Sequence, residues 1–159
     1  MKKVCVWFLA VVLTLGLTAC GEKKEEGLAS RVTINGVELA LGTEFTADME
    51  KNLGDTQEVV QAPSCHYDGT DNIYYYTGFT VYTYMEQEKS ILYSVEITDA
   101  SISTPEGAKV GMTLDEVKAA CGEGFEETVT GISYSLGEGM KLNFRAADNA
   151  VTLIEYYAE

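Results

Sequence analysis

"GAKVGMTLDEVKAACG", residues 107 to 122, is the stretch on which the fold reading turns. Thr113-Leu114-Asp115-Glu116 fits a capping box, in which the Thr oxygen and the Glu carboxylate satisfy orphan amides at a helix start. Leu114, Val117, Ala120 and Cys121 then fall at i, i+3, i+6 and i+7, one face of a helix. Gly122 supplies the stop. An upstream stretch, "GTEFTADMEKNLG" (residues 42 to 54), reads alike. Phe45, Met49 and Leu53 sit at i, i+4 and i+8, and Gly54 closes the segment.

What surrounds these helices is strand-like. Before the first lies "RVTINGVELAL" from Arg31, alternating around Asn35-Gly36, the strongest short hairpin signal. After it come "EVVQA", "IYYY", "FTVYTYM" and "ILYSVEIT". After the second come "ETVT", "ISYSL", "MKLNF" and "AVTLIEYY". All are short and rich in β-branched and aromatic residues, with Gly-, Asp- and Asn-rich turns between them. The expected fold is therefore α+β. It comprises two tandem repeats, 31–103 and 104–159, each a short helical segment packed on an antiparallel β-meander. Pro105 and Gly107 punctuate the boundary.

The N-terminus reads as an address. In "MKKVCVWFLAVVLTLGLTAC", Lys2 and Lys3 precede an apolar run from Val4 to Leu17, too short for a comfortable membrane span and right for a signal peptide. The run ends Leu17-Thr18-Ala19-Cys20, which resembles the lipobox of bacterial lipoproteins. That resemblance implies cleavage of residues 1–19 and a diacylglycerol on Cys20. The alternative is an ordinary signal peptide with an incidental Cys. The lipidated chain would be held at the extracytoplasmic face of a membrane, with residues 20–30 as the lipidated Cys and its polar tether.

Removing residues 1–19 takes Lys2 and Lys3 and no acid, so the net charge moves from −14 to −16. Such a surface repels nucleic acid, and no basic patch interleaved with aromatics is present. No phosphate loop, G-x-S-x-G or H-E-x-x-H occurs, so no catalytic residue, resident metal or cofactor is expected beyond the lipid on Cys20. Two thiols remain after processing, Cys65 and Cys121; in an exported chain they could pair, or serve as small buried side chains.

"PSCHYDGTDNIYYYTGF", residues 63 to 79, holds the chain's one His. Cys65 and His66 are adjacent, and neighbours in an extended chain point to opposite faces, which serves a nucleophile–base dyad badly. They also fall short of four zinc ligands. Asp68, Asp71 and Asn72 lack the spacing of a calcium loop and read as turn residues. The tyrosines say more. Tyr74 and Tyr76 share one face of their strand, and Tyr82 and Tyr84 share one face of theirs. Ile91, Tyr93, Val95 and Ile97 read as a core face. A sheet covered on one side leaves its other face for contact, and Tyr suits such a surface. Tyr74, Tyr76, Tyr82 and Tyr84 are the expected partner-binding anchors, the alternative being that they only stabilise the sheet.

The segment "EGAKVGMTLDEVKAACGEGFEE" resembles the G-x-T-x-x-E-V-x-x-x-x-G helix of small modules in outer-membrane assembly lipoproteins of the SmpA/OmlA type. Two such modules in tandem resemble the β-lactamase inhibitory protein, and "PSC…DGTD…Y" with "TPEGAKVG" resembles lipoproteins of Gram-positive gut anaerobes. The resemblance implies sheets joined into a concave surface that grips a partner. Neither the inhibitor's binding loops nor its disulfide pattern has a counterpart here. The expected function is a membrane-anchored, non-enzymatic binding module with an extracytoplasmic protein partner. The alternatives are an assembly component of a cell-envelope complex and a hydrolase using scattered carboxylates, although no acid pair stands out in the sequence.

Overall fold

The computed structural model describes residues 27–64 and 68–159. The signal peptide of residues 1–19, Cys20, Cys65 and His66 lie outside the described residues. The Asn-Gly signal forms its hairpin: β1 (Arg31–Ile34) pairs antiparallel with β2 (Val37–Ala40), Ile34 opposite Val37. Asn35 and Gly36 have φ of 51° and 81°, the left-handed values a two-residue turn requires. Helix α1 (Ala47–Leu53) follows, with Thr46 as its N-cap, and Asn35 Nδ2 ties the hairpin to it by donating to the Leu53 carbonyl at 2.6 Å.

Eight strands make the main sheet: β3 (Glu58–Pro63), β4 (Thr70–Tyr76), β5 (Phe79–Glu86), β6 (Lys89–Ile97), β7 (Phe125–Thr128), β8 (Gly131–Gly137), β9 (Met140–Ala147) and β10 (Ala150–Ala158). All pairings are antiparallel, in the order β3-β4-β5-β6-β10-β9-β8-β7. Helix α2 (Leu114–Cys121) lies between β6 and β7 in the chain, and its capping box forms as the sequence requires. No described helix is long and apolar enough to cross a membrane.

Two tandem α/β repeats are not what the chain builds. The described chain is mostly β, with two helices of seven and eight residues. β6 and β10 pair through Ile97–Ile154 and Val95–Tyr156, making one continuous sheet. One side of that sheet is covered by Val32, Ile34, Leu39, Phe45, Leu53 and Val117. These pack with Val81, Val95, Ile97, Leu142, Phe144 and Ile154 into a single core cluster. The physical reason is the edge problem. Either meander alone would leave β6 or β10 as an unpaired apolar edge, and joining them removes both.

Two smaller expectations also change. The strand expected at "ETVT" starts earlier, because Phe125 to Thr128 pair with β8 as an edge strand, while Val129 is fully exposed in the turn that follows. Asp68 and Gly69 form the bend before β4, whereas Asp71 and Asn72 belong to the strand itself and alternate across it.

Burial of tyrosines makes stability sensitive to alkali. Desolvation, then the negative charges of Cys121 and Glu123, push the Tyr134 phenol up to about 12. Burial, then the charge of Glu106, raises Tyr156 further. A raised folded pKa means the folded state holds the proton more tightly. The stabilisation is whole below the free-phenol value of 10.0 and is lost as pH rises through the folded value. The urea midpoint should therefore fall steeply between pH 10 and about 12. A midpoint that stays level across that window would show that these phenols are not buried.

Candidate functional site

The side of the sheet away from α1 and α2 carries a different set of residues. Cross-strand pairing arranges them in rows. One row runs Thr80, Glu96, Glu155, Asn143, Ser133, Glu126 across β5, β6, β10, β9, β8 and β7. The next runs Tyr82, Ser94, Tyr157, Lys141, Ser135. Tyr93 joins the second row because the β5–β6 register shifts between Tyr82 and Thr83, leaving Tyr93 as the extra residue of a bulge. Tyr93 therefore does not share the core face of Val95 and Ile97. Its ring lies 6.1 Å from Tyr82, 6.3 Å from Tyr84 and 6.4 Å from Tyr157, and its hydroxyl donates to Asp71 Oδ2 at 3.2 Å.

The four expected anchors divide between the two faces. Thr77-Gly78 links β4 to β5 as a two-residue turn, so Tyr76 opposes Phe79 and Tyr74 opposes Val81. Both Tyr74 and Tyr76 thus face the helices. Tyr76 is buried and stacks on Phe79 at 4.6 Å, and Tyr74 packs on Phe45 at 5.0 Å. Tyr82 and Tyr84 stand on the open face, with Tyr93 and Tyr157 beside them. The turn length could have revealed the split, since it sets the register.

Two concavities lie along the open face and share Glu155 and Tyr157. One, of about 180 Å³, is lined by Tyr82, Tyr93, Ser94, Glu96, Glu155 and Tyr157. The other, of about 320 Å³, continues over Glu126, Thr128, Ser133, Lys141 and Asn143. Together they form one trough. Glu96 and Glu155 are directly opposite on neighbouring strands, a like-charge pair that costs stability unless donors offset it. The donors are present. Tyr82 Oη donates to Glu96 at 2.8 Å; Asn143 Nδ2 and Arg145 Nη2 donate to Glu155 at 3.0 and 3.1 Å. Ser133 Oγ donates to Asn143 at 2.7 Å, and Lys141 pairs with Glu159.

The negative field registers on the phenols. Tyr82 is raised first by burial and then by the hydrogen bond and charge of Glu96. Tyr157 is raised first by burial and then by Glu159 and Glu155. The trough therefore combines neutral aromatic walls with a carboxylate floor.

The other chemistry-bearing residues of the sequence lie apart. Among the described residues, no group of three His, Cys, Asp or Glu is placed to hold a metal ion. Asn72 turns toward Gln61 on the helix side, away from Asp71. Cys121 is a half-buried free thiol at the end of α2, pushed up to about 12 by burial and then by the charge of Glu106. Cys65, with which it could pair, is outside the described residues.

No protein-family model and no curated protein sequence matches the chain. Among solved structures, the chain is similar to the uncharacterized protein yfeY from Escherichia coli. The likeness has a TM-score of 0.51 at 7% identity, covering 82% of this chain and 99% of that one, and it shows a shared fold alone.

Proposed function

We propose that this protein is a membrane-anchored extracytoplasmic lipoprotein that acts by binding, without catalysis, and that the open face of its sheet is the contact surface. The observation that carries the reading is the trough of Tyr82, Tyr93, Glu96, Glu155 and Tyr157 on a face that the helices leave uncovered. Aromatic side chains with polar tips give contact area at small entropic cost. Glu96 and Glu155 are the paired carboxylates a hydrolase would need, but they lie in an open trough and serve as acceptors for Tyr82, Asn143 and Arg145. Anchoring rests on the lipobox-like Leu17 to Cys20. Only Gly21 to Glu26 then separate the lipid from the described fold, a reach of about 20 Å.

The test is capture from native cell envelopes with two baits, the wild-type chain and one carrying Tyr82→Ser, Tyr84→Ser and Tyr157→Ser, after circular dichroism shows both folded. The expected outcome is a partner retained by the first and reduced at least tenfold on the second, because interface aromatics concentrate binding energy at about 2 kcal/mol or more each. Equal capture by both baits would move the site off this face.

A further inference from the structure

The chemistry of the trough identifies what it takes, given the binding role proposed above. Three rings, Tyr82, Tyr93 and Tyr157, wall the smaller concavity, and Glu96 and Glu155 line it from the neighbouring row. Ring faces and carboxylates both attract organic cations, and enclosure by several rings is the usual way to hold one. Beyond the lining, the Tyr93 hydroxyl donates to Asp71, a carboxylate that is 8% exposed with Oδ1 unpartnered. The face already holds one guanidinium, Arg145 on Glu155, and elsewhere among the described residues the Lys118 ammonium sits over the Phe125 ring at 4.5 Å.

The extent of the trough says that the cation belongs to something longer. The rows cross six strands, about 24 Å at the usual strand spacing, which matches roughly seven residues of extended peptide. The far concavity has one ring, the shared Tyr157, and otherwise polar side chains, so it lacks the cluster of rings that would hold a second cation. The net charge of −14 favours a basic partner at long range.

We infer that the open-face trough is a receptor for an extended basic segment of a partner protein, with an arginine or lysine side chain seated among Tyr82, Tyr93 and Tyr157 over Glu96 and Glu155, and polar residues running toward Asn143 and Lys141.

The experiment screens a randomised heptapeptide library, blocked at both ends, against the full chain in neutral detergent micelles. Three versions are compared: wild type, Glu96→Gln and Tyr82→Ser. Gln keeps an oxygen for the Tyr82 hydroxyl, so Glu96→Gln is expected to fold. The expected result is enrichment of Arg or Lys at one position on wild type. Affinity of the selected peptides should fall at least tenfold on Glu96→Gln, and also as salt is raised on the unaltered protein. The salt series needs no variant and stands if Glu96→Gln fails to fold. Peptides without enriched basic residues that are lost on Tyr82→Ser would overturn the inference while leaving the binding face in place. Peptides retained equally by all three versions, or no peptides at all, would overturn the inference and count against the face itself.

Discussion

Replacing Ile154 with Asp unfolds the whole described chain, and both meanders lose structure together. Ile154 is 0% exposed and opposes Ile97 at the junction of β6 and β10. A carboxylate there has no partner in an apolar cluster, and burying it costs several kcal/mol or forces protonation. Ordinary domains have only about 5–15 kcal/mol in reserve. The loss is not confined to one half, because the core that Ile154 joins contains Val32 and Leu53 as well as Leu142 and Phe144. Hydrogen exchange provides the readout: amides of β5 and of β9 should lose protection in parallel. If β9 were lost while β5 stayed protected, the two halves would be independent units after all.

Gly131→Ala should destabilise by about 3 kcal/mol, a large effect for adding one methyl group. The cause is contact with backbone rather than with a movable side chain. A Cβ at position 131 would lie 1.9 Å from the Phe144 carbonyl oxygen and 3.0 Å from its carbon. Gly131 opposes Arg145 where β8 begins, and the Ala146 amide bonds to the Thr130 carbonyl beside it. Relief therefore requires β8 and β9 to separate at that end. Thermal unfolding of the variant checks this. A midpoint within a degree or so of wild type would mean that the close strand approach at Gly131 is absent. Gly27→Ala is the control: it has no atom within 4 Å of the added carbon and its φ is outside the left-handed range, so its midpoint should stay at the wild-type value.

These two positions illustrate what local sequence can and cannot say. The Asn35-Gly36 hairpin and the Thr113–Glu116 capping box were legible because each is closed by atoms within a few residues. The β6–β10 pairing joins Ile97 to Ile154 across most of a meander and a helix, and no short-range signal specifies it. A recurring order of elements therefore reads as two units; joined sheets were implied by the resemblance alone, and the β6–β10 register makes them one. The aromatic face was half legible. Alternation paired Tyr82 with Tyr84 correctly, and the Thr77-Gly78 turn held the information that puts Tyr74 and Tyr76 on the other side. Tyr93 departs from the core face that alternation assigns it, because a bulge in β6 breaks strict alternation there. The Glu96–Glu155 pair and Tyr157 depend on the β6–β10 register, so they became visible only with the sheet.

The central claim is that partners meet the open face and not the helical one. The direct measurement is photo-crosslinking in the native cell from a crosslinking residue placed at single positions. Tyr84 stands on the open face, and Ala119 is exposed on α2. The account predicts a discrete crosslinked species from position 84 and none from position 119. Crosslinks from position 119 alone, or equal yields from both, would contradict it.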